Sequence, residues 1–218
     1  PCGRISSYVH VKNGIVQHVR FHCVPSYVVG LDKTIILKDL GTITYDLAYG
    51  GAFYAYVDID KNDFTFDLSS QHYQQLINIG MKIKNGIMSA DNSIIHPYEK
   101  DLSFLYGTIF IDTKKQASGA NSKNVCVFAE GEVDRCPTGS GVSGRMAIHK
   151  MRGDLDIGDI MTFESITGSV FKGSVVSEQL YSSFKSVIPQ VEGTAYITGM
   201  QTFVFDPKDS IKNGFILR

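Results

Sequence analysis

The sequence predicts a β-rich α+β fold, in which two principal helices are set against a strongly curved, mostly antiparallel sheet. Three observations predict this fold class. Residues 5–11 and 15–24 alternate apolar and polar side chains around Asn13-Gly14, a dipeptide typical of two-residue hairpins. Only two segments space their apolar residues at helical intervals. After residue 158 the pattern returns to strands without a further helix.

The remaining strands are predicted from β-forming segments between turn residues. A short pair is expected at 34–37 and 42–46. Gly50-Gly51 interrupts the aromatic run that follows, and we interpret it as a backbone kink rather than a direct ligand contact. Later strands are predicted at residues 53–57, 104–112, 125–129, 160–166, 169–178, 187–197 and 202–205. Pro189 lies within one of them, and because proline cannot donate to a strand ladder, it predicts an edge strand.

Two helices are predicted from the spacing of apolar residues. The first is capped by Asp67 or Ser69 and ends near residue 89. Its inward face is expected to carry Tyr73, Leu76, Ile77, Gly80, Ile83 and Ile87. The second spans residues 142–151. Its inward residues are expected to be Met146, Ala147 and, at its end, Met151.

Composition and charge favour a globular protein that binds a small molecule. The chain has 218 residues, 43% of them hydrophobic, enough for one large domain or two small lobes. With 21 Lys+Arg against 22 Asp+Glu the net charge is −1, which argues against nucleic acid and anionic membranes as partners. No apolar run approaches the ~18 residues of a membrane helix, and the first residues lack a signal-peptide pattern, so a cytoplasmic location is expected. The 4 cysteines lack the spacing of a zinc site or a disulfide framework and are expected to be reduced.

The segment Asp-Arg-Cys-Pro-Thr-Gly-Ser-Gly-Val-Ser-Gly-Arg at residues 134–145 is the candidate functional turn. Its glycines keep side chains away from the start of the second helix, so that free backbone N–H groups can point at a small anion. Asp134 lies just upstream, where its carboxylate can bind a positively charged amine. A ligand that carries both charges is an amino acid. The alternative is structural, in which Thr138 or Ser140 caps the helix and the glycines only form the turn.

Other ligand classes fit the sequence less well. Residues 139–144 match the G-x-G-x-x-G motif of dinucleotide-binding folds, with Glu164 as the ribose contact. However, residues 130–138 separate the motif from its strand, and alternating parallel β-α units are lacking. A phosphate loop is excluded because Arg and Met follow the last glycine, where Lys and Ser or Thr are needed. His18 and His22 would lie ~13 Å apart on a strand, too far to share a metal ion.

Residues 133–147 resemble the second active-site motif of the proline racemase, hydroxyproline epimerase and trans-3-hydroxy-L-proline dehydratase family. Further similarity lies at residues 49–55, 105–110, 163–169 and 192–199. The resemblance implies the proline racemase (diaminopimelate epimerase-like) fold, with two similar lobes, each a curved sheet around a central helix, and the substrate between the two helix N-termini. It also implies that residues 1–185 form one complete second lobe and that residues 186–218 are closing strands that return to a missing first lobe.

The resemblance places a catalytic cysteine in that first lobe, in a motif of Met-Cys-Gly-His type that this sequence lacks. Cys2-Gly3 does not supply the motif, because it leads directly into a strand pattern without a glycine-rich turn or a helix. The chain by itself is therefore expected to be inactive.

The resemblance also assigns roles to five residues of this chain. Asp134 would hold the ring nitrogen of an imino acid, and the N–H groups of Gly139 and Ser140 would hold its carboxylate. Phe128 would wall the apolar side of the ring, with a buried core residue as the alternative. Thr138 is the catalytic position that decides the reaction. Racemases and epimerases carry a cysteine there, because inversion at Cα needs a thiol on each side.

A hydroxyl at Thr138 implies one-sided chemistry, since it does not ionise near neutral pH without an activating base. The implied reaction is dehydration of trans-3-hydroxy-L-proline, with the first-lobe cysteine as the base and no cofactor. Cys136 keeps an epimerase or proline racemase alternative open, because its thiol could act as a displaced second acid if the turn were reshaped. A non-catalytic fragment and a dinucleotide-binding module are the alternatives from other classes. A homodimer is compatible with the sequence.

Overall fold

The computed structural model describes residues 2–114 and 116–215, within which the chain forms eleven β-strands and two α-helices. The strands are β1 (Ser6–Lys12), β2 (Ile15–His22), β3 (Ser26–Leu37), β4 (Gly41–Tyr49), β5 (Phe53–Asp58), β6 (Leu105–Asp112), β7 (Ser122–Phe128), β8 (Glu132–Val133), β9 (Ile160–Glu164), β10 (Val170–Tyr181) and β11 (Phe184–Gly193). The helices are α1 (Tyr73–Ala90) and α2 (Gly139–Arg152), and short 3-10 turns lie at Ser70–His72 and Lys100–Leu102.

All the strands belong to one sheet, which runs in the order β1-β2-β11-β10-β9-β7-β6-β5-β4-β3, with β8 paired to β7. Because β11 also pairs with β3, the eight strands from β11 to β3 close into a ring, and β1 and β2 extend from it. The pairs of named strands are antiparallel except β5–β6 and β7–β9. The predicted α+β class with a curved, mostly antiparallel sheet is confirmed.

The sheet has two packed faces, because side chains alternate along each strand. Along β5, Phe53, Ala55 and Val57 join the core of α1, whereas Tyr54 and Tyr56 join the core of α2. Helix α1 packs mainly on β6 and β7. The core of α2 receives a side chain from every strand of the ring, including Val28, Ala48, Tyr54, Ile109, Cys126, Phe163, Val175 and Val187. Helix α2 is therefore the central helix, enclosed by the sheet.

The predicted helices form, with corrections at their ends. In α1 the inward stripe is confirmed by the burial of Leu76, Gly80, Ile83 and Ile87. Tyr73 is exposed, because it is the first residue of the helix. Ser69 makes no side-chain capping hydrogen bond, and Asp67 instead accepts a hydrogen bond from the Ser69 amide.

In α2 the helix begins at Gly139, three residues earlier than predicted. Met146 and Ala147 are buried as expected. Met151 is 47% exposed, because the buried run of α2 stops at Ile148.

The prediction that Pro189 marks an edge strand is wrong, because β11 lies between β10 and β2 inside the sheet. Pro189 pairs with Val175, beside a bulge in β10 where the register shifts. Its carbonyl accepts a hydrogen bond from the Cys23 amide at 2.8 Å. The bulge interrupts the ladder next to the residue that cannot donate, which lets proline occupy an interior strand.

Beyond Gly193 the described chain forms no helix or strand up to Phe215, so the strands predicted to reach residue 197 and at 202–205 are absent from this part. Several large apolar side chains here are exposed, namely Tyr196, Ile197, Met200, Phe203, Val204 and Phe205. Within the described residues, no strand pairs with the backbone of this segment. The boundary expected at residues 185/186 falls inside β11, and residues 216–218 lie outside the described chain. In the described ranges, neither helix combines the length and hydropathy that crossing a membrane requires.

Candidate functional site

The turn between β8 and α2 is fixed by hydrogen bonds with β7 and with residues 167 and 169. The Asp134 amide donates to the Cys126 carbonyl at 3.2 Å. The Arg135 carbonyl accepts from the hydroxyls of Thr167 and Ser169, at 2.6 and 3.2 Å. Such anchoring lets a loop hold functional side chains at defined positions.

Thr138 occupies the residue before α2 in an unusual backbone conformation, with φ 67° and ψ 104°. A positive φ is strained for a β-branched residue and persists only where the surroundings enforce it. Its hydroxyl donates to Asp134 Oδ2 at 2.7 Å, and the residue is 6% exposed. Its amide points to Cys136 Sγ at 3.4 Å, and its carbonyl accepts from the Val142 amide at 2.8 Å.

The side-chain cap that the structural alternative predicts at Thr138 does not form. Thr138 makes no side-chain capping bond, and its hydroxyl is directed at Asp134. The Ser140 hydroxyl pairs with the Tyr54 hydroxyl at 2.8 Å. The Val142 amide is the first to bond to the chain before α2, so the N–H groups of residues 139–141 have no partner within the helix. These free groups and the helix dipole favour an anion at this end.

The glycines of the motif do more than expose the backbone. A Cβ added at Gly141 would lie 2.5 Å from Ile109 Cδ1, and one at Gly144 would lie 2.0 Å from the Tyr56 hydroxyl. A Cβ added at Gly50 would lie 2.2 Å from the Ser140 carbonyl oxygen. The glycines therefore allow the enclosed helix to approach the ring strands, and Gly50 has the structural role expected of it.

Two buried tyrosines of β5 anchor the first turn of α2. Besides the contact between Tyr54 and Ser140, the Tyr56 hydroxyl donates to the Gly141 carbonyl at 2.9 Å. Burial raises the pKa of both tyrosines well above its usual value, so both remain neutral phenols. Neither tyrosine was predicted from the sequence as part of the site. Their alternation along an aromatic strand next to Gly50-Gly51 is the sequence feature that indicates such a role.

The structure brings four of the five predicted site residues into one segment, namely Asp134, Thr138, Gly139 and Ser140. Phe128, at the end of β7, is half-buried and packs against Tyr106, with ring centroids 5.4 Å apart. Burial raises the pKa of Tyr106, and nearby acids that include Asp134 raise it further, which places this aromatic pair near the turn.

Two cavities flank the turn. One, of about 540 Å³, is mostly apolar and is lined by Ser140 and Tyr106 among others. The second, of about 410 Å³, is lined by Asp134 and Cys136. Each cavity is lined by one of the five predicted residues, Ser140 in the first and Asp134 in the second, whereas Thr138, Gly139 and Phe128 line neither. Within the described residues, no group of three or more His, Cys, Asp and Glu side chains forms a metal site.

Cys136 lies two residues before Thr138 in the same turn. Burial raises the pKa of its thiol, and the negative charge of Asp134 raises it further, so the group stays protonated near neutral pH. Its sulfur accepts the Thr138 amide hydrogen bond. The thiol is thus a contact of the turn, and its role as a second acid stays an alternative.

The dinucleotide interpretation loses its two supporting features. Residues 139–144 lie within α2 and not in a loop before it. Glu164 forms an ion pair with Lys123 at 2.8 Å, and hydrogen bonds with that partner help to lower the pKa of Glu164. Its carboxylate is therefore occupied within the sheet.

Arg145 is the main polar residue of α2 that the sequence analysis missed. It is 2% exposed and donates to Asn124 Oδ1 at 2.8 Å and to His149 Nε2 at 2.9 Å. Helical spacing from Val142 would have placed Arg145 on the inward stripe. That signal was available, but a charged residue is normally assigned to solvent.

The described chain thus has an α+β fold in which a ring-shaped, mostly antiparallel sheet surrounds a helix, with an acid, a hydroxyl and free N–H groups at the N-terminus of that helix. Residues 1–216 match the proline racemase family, and the chain belongs to that family.

Three relatives with about two fifths identity are named as dehydratases of trans-3-hydroxy-L-proline. The chain is 41% identical over 218 residues to a trans-3-hydroxy-L-proline dehydratase of Colwellia psychrerythraea, covering 100% of this chain and 60% of the relative. It is 41% identical over 219 residues to a trans-L-3-hydroxyproline dehydratase of Xenopus tropicalis, covering 100% and 62%. It is 38% identical over 220 residues to a trans-3-hydroxy-L-proline dehydratase of Homo sapiens, covering 100% and 61%. The chain thus spans about three fifths of the length of these relatives.

Two crystal structures share the fold. A probable proline racemase from Agrobacterium radiobacter K84, with bound carbonate, has a TM-score of 0.87 and 29% identity, covering 99% of this chain and 62% of that one. A hydroxyproline epimerase from Agrobacterium vitis, with bound trans-4-hydroxy-L-proline, has a TM-score of 0.87 and 28% identity, covering 99% and 60%. The proline racemase fold of this chain is therefore established.

Proposed function

We propose that this chain is the substrate-holding part of a trans-3-hydroxy-L-proline dehydratase. The observation that carries the proposal is the Thr138 hydroxyl, which lies at the N-terminus of the enclosed helix and donates to Asp134. A hydroxyl there cannot return a proton to Cα as a thiol does. The names of the relatives in Colwellia, Xenopus and Homo sapiens support the same reaction.

Substrate binding follows from the charges of the turn. The N–H groups of Gly139 and Ser140 hold the imino acid carboxylate, aided by the helix dipole. Asp134 has one oxygen bonded to Thr138 and a second oxygen for the ring ammonium group. Phe128 walls the apolar side of the ring, and its packing on Tyr106 holds the aromatic side chain in place. A small ring that carries both an ammonium group and a carboxylate matches Asp134 with the first charge and the N–H groups of α2 with the second.

The proposed reaction needs a base and a stabilised negative charge. A cysteine thiolate, supplied by the part of the relatives' length that this chain does not span, removes the proton from Cα. The electron pair of the C–H bond forms the ring double bond, and the C3–O bond breaks. The hydroxide takes up a proton and leaves as water, and the enamine tautomerises to a cyclic imine, a pyrroline-2-carboxylate. The N–H groups at the start of α2 stabilise the charge that develops next to the carboxylate.

The proposal extends to the division of the chain. Residues 186–218 are proposed to close against the remaining lobe, and the exposed apolar side chains between Tyr196 and Phe205 support this. The 218-residue chain alone lacks the proposed base and is expected to show no turnover. Turnover by this chain alone would mean that the base lies within it.

The chemistry is tested in a protein of the relatives' length that contains this chain. In D₂O, NMR is expected to show conversion of trans-3-hydroxy-L-proline to the cyclic imine without interconversion of D and L proline. The variant Thr138→Cys is expected to lose at least about tenfold of the dehydration rate and to gain Cα exchange on both faces.

Cys136→Ser serves as the matched control, since it changes a thiol of the same turn. If Thr138 decides the reaction, this variant keeps the dehydration rate within about fivefold, because the Cys136 thiol takes no part in proton transfer. Loss of dehydration in Cys136→Ser would mean that this thiol takes part in the reaction and that Thr138 alone does not decide it. Interconversion of isomers without loss of water in the unmodified protein would support an epimerase instead.

A further inference from the structure

The guanidinium group of Arg145 is buried in the second turn of α2, on the face toward β7 and β9. No carboxylate in residues 2–114 and 116–215 forms an ion pair with it. Burial lowers its pKa to about 10, so it remains a cation near neutral pH. An enclosed cation without a counter-ion is costly, and a fold that keeps one must satisfy it through hydrogen bonds.

Neutral groups satisfy this cation on two sides. Arg145 Nη1 donates to Asn124 Oδ1 at 2.8 Å and to Ser122 Oγ at 3.2 Å, both on β7. Its Nε and Nη2 atoms lie 3.3 and 2.9 Å from His149 Nε2. The guanidinium carbon lies 5.1 Å from the centroid of the Phe163 ring, a favourable cation–π distance.

Asn124 links this cation to the functional turn. Because its Oδ1 accepts from Arg145, its amide group must present Nδ2 in the opposite direction, where it lies 3.5 Å from the Pro137 carbonyl. Pro137 immediately precedes Thr138, whose positive φ requires external support. The contacts therefore run from the guanidinium group through one amide to the strained peptide.

His149 holds the cation from the other side. Its Nε2 accepts from Arg145, so Nδ1 carries the proton and donates to Asp154 Oδ2 at 3.2 Å. Burial and, to a smaller extent, the nearby Arg145 lower the pKa of His149 to about 4, which keeps the ring neutral. The network thus reaches from the residues after α2 to the turn before it.

We propose that Arg145 is a positioning residue that, through Asn124, holds the peptide between Pro137 and Thr138 so that the Thr138 hydroxyl faces Asp134 and the free N–H groups of α2 face the substrate. The structural part of this proposal stands on the contacts alone. Its consequence for catalysis rests on the proposed dehydratase function.

The structural part is tested by NMR on the 218-residue chain with Arg145→Lys and Asn124→Ala. Both variants are expected to shift the backbone amide signals of Cys136, Thr138 and Gly139. Both are also expected to speed hydrogen exchange at Thr138 by about tenfold, as for loss of roughly one hydrogen bond. In the double variant, the exchange rate at Thr138 should exceed that of either single variant by no more than about twofold, because both substitutions interrupt the same series of contacts.

Arg152→Met is the matched control. It removes a cation of the same helix that is ion-paired with Asp32 and Asp46 and contacts no residue of the turn. It should leave the three turn signals in place. Turn signals in Arg145→Lys and Asn124→Ala that move no more than in this control would overturn the proposal. Arg145→Lys keeps a cation and Asn124→Ala only shortens a side chain, so both are milder than Arg145→Met, which would remove the buried charge.

The catalytic consequence is tested in the protein of the relatives' length. Asn124→Ala is expected to lower kcat by about tenfold when assayed well below its melting temperature, although that temperature falls because the buried guanidinium group loses an acceptor. Arg152→Met loses ion pairs outside the turn and is expected to keep kcat within about twofold. A kcat of Asn124→Ala within about twofold of this control would contradict the positioning role. If the unmodified protein shows no dehydration, the proposed function fails, whereas the NMR comparison still decides whether Arg145 positions the turn.

Discussion

The two helices of this protein have different relations to the sheet. Helix α1 lies on the outer face and buries one stripe, of which Leu76, Ile83 and Ile87 are the large members. Helix α2 lies inside the ring and is buried at every residue from Gly141 to Ile148, including a serine and an arginine. The first helix needs only an amphipathic pattern. The second must fit a closed space and present its N-terminus, so glycine and hydrogen-bonded polar groups replace large apolar residues.

The largest difference between the helices is expected at their glycines. Gly144→Ala would place a Cβ 2.0 Å from the Tyr56 hydroxyl, inside the ring, and should destabilise the protein by about 3 kcal/mol or more. Gly86→Ala in α1 meets only the flexible end of Leu37, at 2.4 Å, and gains helix propensity, so it should stay within about 1 kcal/mol of the unmodified chain. Urea unfolding of the two variants measures both values. Equal destabilisation would show that α2 is not more tightly enclosed than α1.

A slightly smaller effect on the free energy of unfolding is expected when the pH is lowered. His149 has its pKa lowered from 6.5 to about 4 by burial and by Arg145 and Arg152, opposed by Asp154. A buried neutral histidine stabilises the fold above the pKa of the unfolded chain, and that contribution is lost as the pH falls through about 6.5 to about 4. The free energy of unfolding should fall by about 3 kcal/mol over this range because of this one histidine.

Comparison with His149→Gln isolates this contribution. Glutamine can still accept from Arg145 but does not titrate, and His96, whose pKa burial also lowers, contributes equally to both proteins. The stability difference between the unmodified chain and the variant should therefore shrink by about 3 kcal/mol between about pH 7 and pH 4. A difference that stays constant over this range would mean that the histidine is charged or exposed in the folded protein.

The smallest difference in stability is expected between substitutions at the residues that precede the two helices. Thr138→Ala removes the hydrogen bond to the Asp134 carboxylate and keeps the strained backbone, so it should cost about 1.5 kcal/mol. Ser69→Ala, before α1, removes no capping bond and should cost less than about 0.5 kcal/mol. Thermal unfolding of the pair is the measurement. A larger loss in Ser69→Ala would indicate that this serine supports α1 after all.

The sequence predicted α1 better than α2 for a physical reason. Apolar residues spaced along a single face report α1 directly, as Leu76, Ile83 and Ile87 show. The start of α2 was placed too late, because Gly139 and Gly141 are poor helix formers and their packing against ring strands outweighs that propensity.

Long-range features were missed for a similar reason. Pro189 was assigned to an edge because propensity cannot show that a bulge in β10 lies beside it. The closure of the ring by β11 and β3 joins residues far apart in sequence, which no local pattern reports.

For the candidate site, the sequence predicted the chemistry of the turn better than its support. Asp134, Thr138, Gly139 and Ser140 lie in one segment, as their proximity in one motif implies, and the Thr138 hydroxyl donates to Asp134. The supporting residues Tyr56, Asn124 and Arg145 come from other elements, and their roles depend on contacts formed only in the folded chain. The roles of Asp134, Phe128 and Thr138 toward a substrate, a cytoplasmic location and a homodimer stay predictions.

The pairing of β11 with both β2 and β3 has a consequence for how the chain folds. Ser26 and Tyr27 of β3 find their partners in β11 at Val187 and Ser186, about 160 residues later. During synthesis at the ribosome the early hairpin can form at once, whereas the ring cannot close until its last strand emerges. Non-local pairing of this kind slows folding and leaves open strand edges in the intermediates. The enclosed helix, and with it the Thr138 turn, should therefore be among the last parts of the molecule to acquire their final structure.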